Sequence, residues 1–317
     1  MSKVLVTGGA GYIGSTAVAL LIDAGYEVSV LDDLSTGHRD AVDSRAQFHE
    51  GSILNKEDIR TAIHGCDSVI HFAGKSLVGE SVEKPDLYMQ VNVEGSKALL
   101  EVMKVEGISQ IVFSSSAATY GEPTEVPVTE ECPTIPTNPY GTSKLKVDQL
   151  LAEAAEDGIA AISLRYFNVA GAHRGNNGWL AERHNPETHL IPNILNATES
   201  NPLKIFGTDW PTADRTCVRD YIHVVDLIDA HIKALKHLNA GKHEIINLGS
   251  GDGYSVKQVV DTASSVLGKK VPALEVPRRA GDPAVLVSSI VKAKRVLQWS
   301  PTRDLTAMVA DTFKSLN

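Results

Sequence analysis

A strand that breaks into glycine and at once becomes a helix constrains this chain more than any other feature. Val4-Leu5-Val6 is a short apolar run closed by Thr7-Gly8-Gly9. Gly8, Gly11 and Gly14 then recur at three-residue spacing ahead of a helical pattern through Ala17, Leu20, Leu21 and Ala24. Gly25 follows as a C-terminal breaker. Val28-Ser29-Val30-Leu31 reads as a second buried strand ending at Asp32-Asp33. Strand, helix and strand in this order form a βαβ unit. The glycines permit a tight turn, close backbone approach to a pyrophosphate and packing of the helix on the strand. The free N–H groups where the helix opens, at Tyr12 and Ile13, favour phosphate. A carboxylate at the end of the second strand accepts from adenosine ribose hydroxyls and repels a 2′-phosphate, so NAD is favoured over NADP. Asp32 is the candidate, and Asp33 competes for the role.

The alternation continues. Ser68–Phe72 and Gln110–Phe113 read as buried strands, with a helix between them carrying Ala98, Leu99, Val102 and Val105. A helix after Pro139 bears Val147, Leu150, Leu151 and Ala154 on one stripe, and a strand over Ile159–Leu164 follows it. Repeated strand–helix alternation implies a parallel sheet covered on both faces, so the fold class is α/β, doubly wound and Rossmann-like. The expected division is a dinucleotide-binding domain over 1–170 and a smaller α+β substrate domain over 171–317. Part of 219–240 is expected to pack back on the first domain. Residues 171–188 and 207–219 read as surface loops, longer than a compact domain usually carries without a functional reason.

Composition excludes several classes. The net charge is −9 with both signs interspersed, which argues against a nucleic-acid or anionic-membrane partner. No apolar run is long enough to span a bilayer. The start has no signal-peptide pattern. Cys66, Cys132 and Cys217 are far apart and read as free thiols of a reducing compartment, so the expected address is cytoplasmic.

Tyr140 and Lys144 stand four residues apart where a helix starts, on one helical face. A positive charge beside a phenol favours phenolate and lowers its pKa toward the range of a general base. Ser114-Ser115-Ser116 ends the preceding strand, at the carboxyl edge where doubly wound folds place ligands.

Together, the glycine triplet, Ser116 and Tyr140-xxx-Lys144 resemble the extended short-chain dehydrogenase/reductases. Finer motifs resemble the UDP-galactose 4-epimerases nearly end to end: Val6–Ser15, His71-Phe72-Ala73-Gly74, Val78-Gly79-Glu80-Ser81, Phe113–Gly121, Arg165-Tyr166-Phe167-Asn168 and Val218–Val224. The resemblance implies reversible epimerisation of a UDP-hexose at C4 through a 4-keto sugar, with retained NAD as a recycled hydride acceptor. Tyr140 would act as base, Lys144 would lower its pKa and bind the nicotinamide ribose, and Ser116 would bond the 4-oxygen. It also implies cofactor contacts from Gly8, Gly11, Tyr12, Ile13, Gly14, Asp32, Asp33, Ser52, Ile53, Phe72, Ala73, Gly74, Asn92, Ser114 and Phe167. Substrate contacts are implied for Asn168, His189, Leu190, Phe206, Arg219, Arg279 and Asp282. Arg219 and Arg279 can pair with diphosphate oxygens, and Phe206 can pack on uracil. A homodimer is implied through helices 92–106 and 140–156, whose apolar stripes equally fit packing on the sheet.

Related dehydratases and decarboxylating enzymes carry an acidic residue beside the catalytic hydroxyl, where this chain has Ala117-Ala118. Alanine transfers no proton, which favours an epimerase. Two positions depart from the epimerase pattern. Ser52 replaces an adenine-contacting aspartate, and Lys75-Ser76 replaces a Leu-Lys pair whose lysine reaches the cofactor; both point to weaker NAD retention. Leu286 occupies the position whose bulk governs acceptance of N-acetylhexosamines, and its intermediate size leaves that open. UDP-glucuronate or UDP-N-acetylhexosamine epimerisation and a non-catalytic NAD-binding regulator are the alternatives. None of the eleven histidines falls in a spacing such as HExxH, so no metal is expected.

Overall fold

The computed structural model describes residues 2–279 and 282–316. The order begins β1 (Lys3–Thr7), α1 (Tyr12–Asp23), β2 (Glu27–Asp32), β3 (Gln47–Glu50), α2 (Lys56–Ile63) and β4 (Ser68–His71). The short helices α3 (Val78–Glu83) and α4 (Pro85–Tyr88) follow, then α5 (Gly95–Glu106), β5 (Gln110–Ser116), α6 (Pro139–Glu156) and β6 (Ala160–Tyr166). Among the described residues, one seven-stranded sheet runs in the order His243–Leu248, β6, β5, β4, β1, β2, β3. Every neighbouring pair in it is parallel.

Alternate residues of each strand feed opposite faces. Val4 and Val6 of β1 join one apolar cluster with Val18 and Leu21 of α1. Leu5 between them joins the other, with Ile59 of α2, Leu99 of α5 and Leu151 of α6. Burying each such side chain contributes roughly 1.5–3 kcal/mol, which is why the strands are continuously apolar rather than alternating. The strand order reverses between β1 and β4, so a crevice opens beyond their carboxyl ends.

The chain returns to this sheet after residue 170. Strand His243–Leu248 completes its edge, and helices Val224–Leu235 and Val291–Leu297 bring Leu227, Ala230 and Leu297 into the first cluster. Ile191, Ile194, Val259, Ala263, Met308 and Val309 form a separate cluster beside it.

Some local expectations change. Val105 is 72% exposed and lies off the buried stripe of α5, which runs through Ala98, Leu99 and Val102. The loop 171–188 contains an antiparallel hairpin pairing His173–Gly175 with Gly178–Leu180. The second loop ends in a short strand, Val218–Arg219, parallel to Val285–Leu286. The helix expected from residue 92 begins earlier, at Pro85, and passes through a π-helical turn over Met89–Glu94 before α5. Such turns need a tertiary cause and often mark functional sites.

Candidate active site

Each glycine of the first turn has its own physical reason. Gly8 has φ +73°, and a Cβ there would lie 2.6 Å from the Ala73 amide nitrogen. The glycine therefore brings the β1 turn against the Phe72-Ala73-Gly74 loop. At Gly14 a Cβ would stand 2.0 Å from the Gly8 carbonyl oxygen, so the first turn of α1 can only pack there without a side chain. Gly11 differs: φ is −77°, and the nearest atom to an added Cβ is the Gly8 oxygen at 3.5 Å. The protein itself does not demand glycine at 11. That cradle is kept open on the side where the N–H groups of Tyr12 and Ile13 begin the helix, as a bound pyrophosphate requires.

Asp32 and Asp33 are separated by the fold. Asp32 is buried, and its carboxylate accepts from the amides of Ala10 at 2.9 Å and Leu34 at 2.8 Å. Burial raises its pKa above the usual carboxylate value. Asp33 is exposed and accepts from the Ser35 amide at 2.9 Å. Asp32 is thus the carboxylate tied to the glycine turn. Ile53 is buried against Gly95, whereas the Ser52 amide donates to Asp58 at 2.9 Å. The Lys75 ammonium reaches the Ser35 hydroxyl at 3.4 Å, linking the loops that follow β4 and β2.

The catalytic candidates converge from two elements. Asn138 caps α6 by accepting from the Gly141 amide at 2.9 Å, and Pro139 occupies the first turn. A Cβ on Gly141 would lie 2.4 Å from the Ala118 carbonyl oxygen, so glycine lets α6 start directly on the turn after Ser116. Tyr140 and Ser116 meet there, and their hydroxyls share a hydrogen bond. Ser116 Oγ also accepts from the Ala118 amide at 3.1 Å. Lys144 is buried and donates from Nζ to the Ser114 carbonyl at 2.7 Å, with Nζ 5.9 Å from the Tyr140 ring centre. The Ser114 hydroxyl pairs with that of Tyr166.

The electrostatics differ from the sequence expectation. Burial raises the Tyr140 pKa, and the Ser116 hydrogen bond opposes it only in part. Burial likewise pushes Lys144 down to about 8, against the pull of Asp148. The lysine is desolvated and bonded to a carbonyl, and burial prevails at Tyr140, so the pair does not by itself make Tyr140 acidic.

The substrate candidates assemble from distant segments. The Arg279 guanidinium stacks 4.5 Å from the Phe206 ring centre, and its Nε lies 3.3 Å from Asp282. Arg219 lies 3.5 Å from the same carboxylate and donates to the Pro283 carbonyl at 2.8 Å. Phe206, Arg219, Arg279 and Asp282 therefore form one group. Asn168 donates through Nδ2 to the Asp220 carbonyl at 2.8 Å. His189 immediately precedes the helix Leu190–Leu195 and bonds Glu187 through Nδ1 at 2.7 Å. Phe167 and Leu286 pack on the cluster of Ala117, Tyr120 and Val128, which puts Leu286 beside the turn that follows Ser116.

Sequence reasoning missed the polar chain that holds this site. Thr7 Oγ1 bonds His71 Nδ1 at 2.6 Å, and His71 Nε2 bonds Ser96 Oγ at 2.8 Å. Ser96 donates to the Asn92 carbonyl at 2.5 Å, Asn92 Nδ2 to Ser143 Oγ at 2.9 Å, and Ser143 to the Tyr140 carbonyl at 2.7 Å. Burial holds His71 neutral, with a pKa near 3. Asn92 also bonds the Lys75 backbone, accepting at 2.7 Å and donating at 3.0 Å. Tyr88 meets Tyr140 edge-on at 6.4 Å. The one available signal was a histidine inside an otherwise apolar strand.

The NAD dependent epimerase/dehydratase family model matches residues 4–249. The chain is 52% identical to a UDP-glucose 4-epimerase of Corynebacterium glutamicum over 315 residues, covering 98% of this chain and 94% of that protein. It is 49% identical to one from Streptomyces lividans over 318 residues, covering 98% and 95%. Among solved structures, UDP-glucose 4-epimerase of Brucella ovis in complex with NAD superposes with a TM-score of 0.94 at 40% identity, covering 99% and 98% of the two chains. The Stenotrophomonas maltophila enzyme with bound NAD and formylated UDP-arabinopyranose also gives 0.94, at 38% identity, covering 99% and 97%. With its glycine turn, parallel sheet and Ser–Tyr–Lys constellation, the chain belongs to the NAD dependent epimerase/dehydratase family.

Proposed function

We propose that this protein interconverts UDP-galactose and UDP-glucose at C4, using NAD as a recycled redox group. The observation that carries the reading is the convergence of Ser116, Tyr140 and Lys144 at the sheet edge, with Ala117 and Ala118 as the next two residues of the following turn. Neither alanine can transfer the proton that elimination needs, so a 4-keto sugar formed in the site leaves by its own reduction.

The open cradle at Gly11, the helix N-terminus behind it and the buried Asp32 carboxylate fit a dinucleotide with free ribose hydroxyls. A dinucleotide held there would supply a hydride acceptor and donor for sugar C4, and its oxidised ring a positive charge within the site. Tyr140 removes the proton from the 4-hydroxyl and restores it after the sugar has turned. Ser116 bonds the 4-oxygen and shares the proton with Tyr140. Lys144, fixed by the Ser114 carbonyl, would bond the nicotinamide ribose and would stabilise phenolate once a second positive charge offsets the burial of Tyr140. Arg219 and Arg279 grip the diphosphate, exchanging their pairing with Asp282 for phosphate oxygens while Asp282 turns to the uridine ribose. Phe206 stacks on uracil. Asn168, His189 and Leu190 complete the nucleotide grip, which leaves the hexose free to rotate.

In this reading 1–170 carries the cofactor and 171–317 supplies most of the substrate contacts. The chain works as a homodimer through helices 92–106 and 140–156, for which exposed Val105 gives local support. Its three free cysteines suit the cytoplasm, and no helix among the described residues is long and apolar enough to cross a membrane.

The test is incubation with UDP-galactose and no added cofactor, followed by separation of the epimers. UDP-glucose formed under these conditions supports the reading and shows retained NAD. Conversion only after NAD⁺ addition would support the epimerase with the weak retention that Ser52 suggests. No conversion with NAD⁺ present, by folded protein, would overturn it.

A further inference from the structure

The segment 178–190 lies over the glycine turn. Gly11, Tyr12 and His38 line one side of a narrow cavity, and Leu180, Glu182 and His184 the other. Arg183 ties the segment to Asp40 at 2.9 Å. Three side chains of this segment gather at one point: single ligand atoms of Glu182, His184 and His189 all lie within 4.8 Å of one another.

One contact among them is not a made hydrogen bond. His184 Nδ1 lies 3.0 Å from Glu182 Oε1, yet it is buried and has no aligned hydrogen-bond partner among the described residues. Two Lewis bases that close, without a hydrogen directed between them, are arranged as ligands facing a shared cation. His189 Nδ1 is 3.9 Å from the other oxygen of Glu182. Around tetrahedral Zn²⁺, bonds of about 2.0–2.1 Å set ligand atoms about 3.4 Å apart. The 3.0 Å pair lies a little below that value, and the 3.9 Å pair, to the other oxygen of Glu182, a little above it. Glu187 accepts from the His189 ring and from the amides of Thr188 and His189, each at 2.7 Å. The ring hydrogen sits on the same Nδ1 that faces Glu182, so binding an ion at Nδ1 releases the proton and breaks the His189–Glu187 bond.

We propose that Glu182, His184 and His189 bind one divalent transition ion, Zn²⁺ by ligand type, as a structural clasp on the segment covering the dinucleotide turn. Two imidazoles and a carboxylate suit Zn²⁺ and leave a fourth position for water. The ligands come from a loop at 182, 184 and 189, so a search for HExxH spacing on a helix passes over them. The site does no chemistry on the substrate. It joins the cover of the cofactor turn to the start of helix Leu190–Leu195.

The probe is Co²⁺, titrated into the full chain after treatment with EDTA. The expected result is one saturable equivalent with visible ligand-field absorption, displaced by Zn²⁺. His184→Gln and Glu182→Gln should each weaken binding by more than the roughly 10–100-fold typical of an outer-shell partner. Zn²⁺ should raise the Tm of the unsubstituted protein and leave that of His184→Gln unchanged. An ionic cluster, with an imidazolium held between Glu182 and Glu187, predicts no saturable Co²⁺ binding by the unsubstituted protein. That result would overturn the proposal, as would binding by folded His184→Gln equal to that of the unsubstituted chain. If one variant fails to fold, the stoichiometry of the unsubstituted protein and the other variant decide.

Discussion

Lys144 shows what the site costs the fold. Burial lowers its pKa from 10.5 to about 8, so between those values the unfolded chain binds a proton that the folded chain has released. Stability from this group therefore rises with pH across that window, and below about pH 8 the folded protein carries the full penalty of a buried ammonium. Replacing Lys144 by Met should stabilise the unliganded protein by about 1–3 kcal/mol near neutral pH, the desolvation relieved less one lost hydrogen bond. The gain should shrink as pH approaches 10. Urea unfolding at two pH values checks the sign, and a variant less stable than the parent at neutral pH would contradict it. Tyr140→Phe isolates the chemistry instead. Its hydroxyl meets Ser116 rather than a backbone group, so turnover should fall about 100–10,000-fold while NAD affinity and Tm stay near those of the parent. Unchanged turnover would remove Tyr140 as the base.

At the scale of elements, the β1–α1 turn separates ligand constraint from fold constraint. Gly14→Ala places a methyl group 2.0 Å from the Gly8 oxygen, and should destabilise the protein by about 2–4 kcal/mol or prevent folding. Gly11→Ala has space and a permitted φ. It should alter stability by about 1 kcal/mol or less yet weaken NAD at least roughly tenfold, since the methyl enters the pyrophosphate cradle. Denaturation without NAD and a fluorescence titration with it measure the two separately. This turn was legible in the sequence because each of its constraints is local. The π turn at Met89–Glu94 was not: Met-Gln-Val-Asn-Val-Glu reads as ordinary helix, and the element paired with the turn is Asn92, whose bonds to Lys75 and Ser143 come from elsewhere in the chain. Strand Gln47–Glu50 escaped for a related reason, since an edge strand with polar Gln, His and Glu lacks the apolar run that marks its neighbours. Strand His243–Leu248 is apolar enough to be seen, but nothing in its own residues says that its partner is β6.

Across the whole molecule, the proposed reaction puts chemistry and grip in different parts of the chain. Ser116, Tyr140 and Lys144 stand at the ends of β5 and α6, whereas Phe206, Arg219, Arg279 and Asp282 meet in the later segments. The tyrosine and lysine were legible because they share one helix face. That Arg219 and Arg279 belong to one site was visible only through resemblance, since sixty residues separate them, and their shared carboxylate came only with the fold. An enzyme that must let its sugar turn over while keeping the nucleotide should show this division energetically. UDP alone, at about 100 times its Kd, should stabilise the parent by about 2.7 kcal/mol and raise Tm accordingly. Tyr140→Phe should keep that shift, because in the proposed site the phenol faces the sugar and not the nucleotide. Arg219→Met should lose most of it and raise KM for UDP-galactose about 10–100-fold, with kcat changed much less, since a diphosphate contact is equal in ground and transition states. The guanidinium is largely buried and bonded to two carbonyls, so the Tm of Arg219→Met without UDP must be measured beside it. A folded Arg219→Met that retains the full UDP shift would place the diphosphate elsewhere, and a fall in kcat with unchanged KM would mean that Arg219 acts on the reacting sugar rather than on its nucleotide.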